Sequence, residues 1–182
     1  MPTRRKPVIA VVGNGSLPLD SPALTMAEEL GLALVDRGYR VLTGGMGGVM
    51  EAASRGAHGS AHYSPGDTIG FLPRSEPTTA NPWVDIVLPT GLGHYRNGLV
   101  AHSSAVVAVG GGAGTLSEMA QAWIYDRLIV ALRVEGWSGH LADQALDRRI
   151  RFPDIGEDRV YGADNAEEAA HLIDHWLPKY RR

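Results

Sequence analysis

The sequence predicts a doubly wound α/β domain: a mostly parallel sheet with helices on both faces. Three observations predict it. Short apolar runs alternate with segments of helical periodicity along nearly the whole chain. The runs are apolar at consecutive positions, as strands buried on both faces require. Glycine-rich stretches follow several of them, where strand-to-helix turns belong. At 182 residues a single domain is expected, long enough to bury about 70% of the surface that the unfolded chain exposes. No internal repeat, low-complexity tract or linker divides it.

The elements follow in order. "VIAVV" (8–12) reads as a strand and "GNGSLPLDSP" as its exit loop. Asp20 and Ser21 supply a cap before Pro22, a residue favoured in a first helical turn. Leu24, Ala27, Leu30, Leu34 and Val35 then recur at helical spacing, and Gly38 ends that helix. "YRVLTGG" is a second strand and "MGGVMEAASRGA" a helix, on which Glu51 and Arg55 form an i,i+4 pair on the solvent face. "TIGFLP" and "VDIVLP" are strands closed by Pro73 and Pro89. "GLGHYRNGLVAHS" is helical, "AVVAV" a strand, "AGTLSEMAQAWIYD" a helix and "LIVAL" a strand. The tail holds a short strand and an amphipathic helix that starts after Asp164.

Composition excludes several function classes. The chain has no cysteine, hence no disulfide, thiolate metal site or thiol nucleophile, and a reducing cytosol suits it. Its two lysines are Lys6 and Lys179. None follows a glycine loop, which excludes a Walker phosphate loop, and none is placed to form an internal Schiff base with pyridoxal phosphate. The net charge is −3, with local basic groups at Arg4, Arg5 and Lys6, at Arg148, Arg149 and Arg151, and at Lys179, Arg181 and Arg182. No nucleic-acid footprint is expected. The basic start runs into an apolar segment too short for a signal peptide or a membrane span, so the expectation is a soluble, cytoplasmic protein without a membrane partner.

In a doubly wound sheet ligands bind beyond the carboxyl ends of the strands. "GNGS" follows the first strand, "GGMGG" the second and "GGGAG" a later one. Glycine lets backbone N–H groups approach a ligand, and a helix that starts just afterwards directs its unpaired N–H groups at an anion. Three such loops on one edge favour a phosphate-bearing ligand. "GNGSLP" lacks the third glycine of G-x-G-x-x-G, and "VLTGG" offers no acid for a ribose, so a mononucleotide or sugar phosphate fits better than a nicotinamide dinucleotide. The catalytic candidates are Arg96, in "GHYRNG", and Glu118, four residues past Gly114. On spacing alone Glu118 reads equally as a first-turn acid favoured by the helix dipole, and Arg96 as a surface arginine.

The ordered set "VLTGGMGGVMEAASRGA", "TIGFLP", "TGLGHYRNGLV" and "VAVGGGAGTLSEMAQAW" resembles the Lonely Guy (LOG) superfamily of Rossmann-like nucleotide-binding proteins, over about residues 8–133. That resemblance implies a dimer or higher homo-oligomer and cleavage of the N-glycosidic bond of a nucleoside 5′-monophosphate, without a cofactor. Its signature, P-G-G-x-G-T-x-x-E with an upstream R-K, implies that Glu118 and Arg96 are catalytic. It places the phosphate loop at Gly111, Gly112, Gly114 and Thr115. Gly13, Gly15, Ser16, Gly44, Gly45, Gly47, Gly48 and Asn97 would complete the nucleotide pocket. Two positions depart from the signature: Gly110 stands for its proline and Asn97 for its lysine. "TGLGHYRN" and "VGGGAGTLSE" are more similar to a sister branch resembling molybdenum-cofactor carrier proteins, which implies the alternative of a non-catalytic protein holding molybdopterin.

No metal site is expected. His58 with His62, and His171 with His175, are four apart, but neither pair follows H-E-x-x-H. Met46 and Met50 read as core or interface packing. Trp123 and Tyr125 are expected in a subunit contact. Trp83 reads either as a cover for a base or as a loop anchor.

Overall fold

The computed structural model describes residues 5–180; Arg4, Arg181 and Arg182 of the basic ends lie outside them. The strands are β1 (Val8–Gly13), β2 (Arg40–Thr43), β3 (Thr68–Leu72), β4 (Ile86–Pro89), β5 (Ala105–Val109), β6 (Leu128–Leu132) and β7 (Tyr161–Ala163). They form one sheet in the order β4-β3-β2-β1-β5-β6-β7. All of its pairings are parallel. β5 and β6 are buried at every residue, which accounts for their unbroken apolar runs.

The helices are α1 (Pro22–Asp36), α2 (Val49–His58), α3 (Asn97–Ala101), α4 (Ala113–Ile124), α5 (Trp137–Leu141) and α6 (Ala166–Tyr180). Alternate strand residues divide the core between two faces. Ile9, Val11, Val41, Val107, Val130 and Leu132 pack with Leu30 and Leu34 of α1, Ala53 of α2 and Ile173 of α6. Ala10, Val12, Leu42, Val106, Ala108 and Ile129 pack with Val100 of α3 and with Met119 and Trp123 of α4. The strand order turns at β1, with β2 on one side and β5 on the other, so a crevice opens above their carboxyl ends.

Two expectations need correction, and one element is additional to those expected. Arg55 does not pair with Glu51 along its own helix. Its guanidinium forks onto Glu28 of α1, Nε to Oε1 at 3.0 Å and Nη2 to Oε2 at 2.7 Å, and so ties α2 to α1. Trp123 lies in the core of its own chain, 2% exposed, with the Arg151 guanidinium stacked 3.6 Å from its ring centre. A core place of this kind leaves no ring face for a subunit contact. The additional element is α5, which the sequence reading leaves unassigned: "WSGHL" is too short and too glycine-broken to show a period. Trp83 acts as an anchor: its carbonyl accepts from Thr68 Oγ1 at 2.7 Å and lies 3.0 Å from His58 Nε2.

Candidate functional site

A cleft of about 250 Å³ opens at the carboxyl ends of β1, β2 and β5. Gly13 and Gly15 line it from the first loop, Gly44 from the second, and Gly112, Gly114 and Thr115 from the third. Arg96, Asn97 and Glu118 form its wall. The three glycine loops therefore meet at one rim.

Arg96 and Glu118 are 22 residues apart in sequence and bonded in space, Nη1 to Oε1 at 2.8 Å. A 3-10 turn, Gly93–Arg96, runs into α3 and carries the arginine inward. Gly44 makes room for it: a Cβ there would lie 2.4 Å from Arg96 Nη2 and 2.6 Å from Met50 Sδ. Arg96 and Glu118 are only 6% and 7% exposed. Glu118 is not a first-turn acid. It is the sixth residue of α4, whose first turn holds no acidic residue, so the helix dipole does not explain it. Burial pushes the Glu118 carboxyl up to about 7, against the downward pull of the Arg96 guanidinium. Arg96 Nε is buried with no hydrogen-bond partner among the described residues, and Arg96 is the one donor to Glu118 there.

The β5–α4 turn divides into two parts. Gly110 and Gly111 are left-handed, at φ +63° and +93°, and all four of their backbone polar groups are committed. The Gly110 N–H donates to Ser138 Oγ and the Gly111 N–H to Asn14 Oδ1, each at 2.7 Å. Their carbonyls accept from the N–H groups of Ser138 and Trp137 at 3.0 Å. A proline at 110 could provide neither the positive φ nor the N–H, which is the physical content of that departure from the signature. From Gly112 onward the accounting reverses. Gly112 is the N-cap of α4, and among the described residues no side chain caps the helix. Beside Gly112 and Gly114 an added Cβ would meet no described residue within 4 Å. The N–H groups of Ala113, Gly114 and Thr115 have no acceptor among the described residues, and the Leu116 N–H donates to the Gly112 carbonyl at 3.0 Å.

The remaining candidates are distributed differently. Ser16 and Gly48 line a neighbouring groove that shares Gly15 with the cleft. The Gly45 N–H donates to Thr43 Oγ1 at 3.0 Å, and a Cβ at Gly47 would lie 3.4 Å from the Gly15 carbonyl oxygen. Asn97, 3% exposed, holds its amide 3.4 Å from both the Gly114 carbonyl and Ser117 Oγ. Asn14, His94, Met46 and Met50 also line the cleft and were not among the residues read from the sequence as its wall. Of the two methionines, Met50 is buried in the core at 6% exposure and also reaches the cleft, whereas Met46 is half-buried in the cleft wall. Asn14 sits between the glycines of "GNGS" and His94 two residues before Arg96, so position relative to those motifs was the available signal.

The histidine pairs do not converge. His58 approaches the Trp83 carbonyl, His62 lies 3.4 Å from Asp36, His171 lies 3.0 Å from Glu167 and His175 lies 3.1 Å from Lys179 Nζ. Among the described residues no group of three or more histidine or acidic side chains could hold a metal ion, and no helix is long and apolar enough to cross a membrane.

Comparison with known proteins places this geometry. An uncharacterized protein of Archaeoglobus fulgidus is 36% identical over 126 residues, 69% of this chain and 79% of that protein. The cytokinin riboside 5′-monophosphate phosphoribohydrolase LOG of Oryza sativa subsp. japonica is 26% identical, covering 85% of this chain and 67% of its own length. The structure of the molybdenum cofactor binding protein from the phototrophic bacterium Rippkaea orientalis superposes with a TM-score of 0.77 at 34% identity, over 96% of this chain and 99% of that one. A family model, the SLOG cluster4 family, matches residues 6–168. The chain belongs to the SLOG cluster4 family, within the LOG superfamily and similar to its molybdenum-cofactor-binding branch.

Proposed function

We propose that the cleft binds a nucleoside 5′-monophosphate and hydrolyses its N-glycosidic bond. One observation carries this reading: a buried Arg96–Glu118 pair stands in the same wall as the uncapped, unobstructed start of α4. The 5′-phosphate sits on the first-turn N–H groups of α4 with the Thr115 hydroxyl beside it. Arg96 positions the phosphate or ribose hydroxyls through guanidinium N–H groups not used on Glu118. As the bond from C1′ to the base nitrogen breaks, positive charge builds on the sugar. The Glu118 carboxylate stabilises that charge and orients a water whose oxygen bonds to C1′. The water's proton balances the departing base, leaving ribose 5-phosphate. No cofactor takes part. The reading includes a cytoplasmic homodimer. Tyr95, 90% exposed, and Ile124, 59% exposed, are large side chains that a second copy would cover.

The test is AMP turnover by the wild type and by Glu118→Gln. The variant is expected to keep AMP binding and lose base release by a factor of about 10² or more. If the wild type leaves a panel of nucleoside monophosphates intact, hydrolysis is the wrong chemistry.

A second reading is favoured by the likeness to the Rippkaea orientalis protein over nearly the whole chain and by Asn97 in place of the signature lysine. In it the same cradle holds the phosphate of a molybdopterin without turnover. Uptake of the pterin cofactor by purified protein, and its protection from oxidation, distinguish this reading from hydrolysis.

A further inference from the structure

We propose that Asn14 is the positioning residue of the anion cradle, holding three separate glycine turns in one arrangement. The inference rests on the reading that the cleft binds a phosphate-bearing ligand. Asn14 lies just beyond β1 and touches both other loops. Its carbonyl accepts the Val49 N–H at 2.9 Å, fixing the start of α2. Its side-chain Oδ1 accepts the Gly111 N–H at 2.7 Å, across 97 residues of sequence. Side chains are absent where Asn14 must fit. A Cβ at Gly48 would lie 2.2 Å from the Asn14 carbonyl oxygen, and one at Gly110 would lie 2.6 Å from Asn14 Oδ1.

The consequence lies one residue further along. The Gly111 N–H is spent on Asn14, so it is not a ligand donor. It sets the turn that leads into Gly112, where the open N–H groups of α4 begin. Asn14 itself lines the cleft. Its Nδ2 donates no hydrogen bond to any described residue, while its Oδ1 is engaged. An amide suits this place because it accepts on one side and can only donate on the other. A carboxylate would keep the bond to Gly111 but would turn a bare oxygen toward the anion.

Two variants of the full chain separate these effects, read by hydrogen exchange of the Gly111 amide without ligand and by titration with AMP and with inorganic phosphate. Asn14→Asp is expected to keep Gly111 protected and to weaken both ligands about tenfold or more through like-charge repulsion. Asn14→Ala is expected to speed Gly111 exchange and to weaken AMP and phosphate by the same factor, since both use the cradle. The positioning role is overturned if Gly111 exchanges in Asn14→Ala as in the wild type. It is equally overturned if either variant binds both probes with wild-type affinity. A wild type that binds neither probe overturns the ligand class instead, and Gly111 exchange in the two variants still decides whether Asn14 holds the turn.

Discussion

Two buried arginine–carboxylate pairs in this molecule are built to opposite standards. Arg151 meets Asp158 with both arms of its fork, at 2.7 and 2.6 Å. It also donates to the Arg127 carbonyl at 3.0 Å and stacks on Trp123. Asp158 takes a further hydrogen bond from the Tyr180 hydroxyl. Arg96 meets Glu118 through one contact, leaves its Nε without a partner among the described residues, and borders a cleft. Burying charge is costly unless the remaining donors and acceptors are met. The first pair meets them and pins the segment after α5 onto α4. The second leaves them open, the condition expected of groups that complete their bonding with a ligand.

The largest effect that tests this contrast is on stability. Arg151→Met leaves Asp158 buried without its cation and should cost about 3–5 kcal/mol in urea denaturation. AMP affinity should be unchanged, since Arg151 does not line the cleft. A loss below about 1 kcal/mol would remove the distinction between the pairs.

The next largest effect sharpens the other half. The folded-state Glu118 carboxyl is raised to about 7 from an ordinary value of 4.5, so the folded protein holds this proton more tightly than the unfolded chain. The contribution is fully present below about pH 4.5 and is lost as pH rises through 7. Glu118→Gln has no such proton to lose. Its stability relative to the wild type should therefore climb between pH 5 and 8, by roughly 3 kcal/mol at most, since each tenfold change in proton affinity is worth about 1.4 kcal/mol. Hydrolysis by the wild type should rise over the same interval as the carboxylate forms. A flat stability difference would mean that Arg96 already holds Glu118 ionised.

The sequence announces these features unequally. Consecutive apolar residues mark the central strands β1, β5 and β6 because burial on both faces leaves no other pattern, whereas β4 at the edge is largely exposed; the glycines that follow β1, β2 and β5 mark the rim. Arg96 and Glu118 are legible as candidates, but not as a pair, since their burial depends on the packing of α3 against α4. Glu118 is misplaced in a first turn although the helix is expected from Ala113 onward: counted from that start it is the sixth residue, already in the second turn. The bonds of Asn14 to Gly111 and of Ser138 to Gly110 leave no sequence pattern, because each joins turns distant along the chain. Trp123 and Arg151 reveal their contact only in three dimensions. Local periodicity records what a residue does within its own element, and these residues work between elements.

The smallest stability effect makes the same distinction among the glycines. Gly48 is left-handed at φ +65°, and its missing Cβ would strike the Asn14 carbonyl oxygen. Gly48→Ala should therefore destabilise the chain by about 1–3 kcal/mol through strain at a special backbone position. Gly112 has an extended backbone and empty space where its Cβ would stand. Gly112→Ala should cost at most about 1 kcal/mol, the preference of glycine over alanine at an N-cap, while AMP affinity drops because the added methyl enters the space beside the first-turn N–H groups. Affinity that falls without stability identifies a glycine kept bare for a ligand, and stability that falls identifies one kept bare for the fold. Equal stability losses at 48 and 112 would show that the rim's open space is part of the folding of the turn.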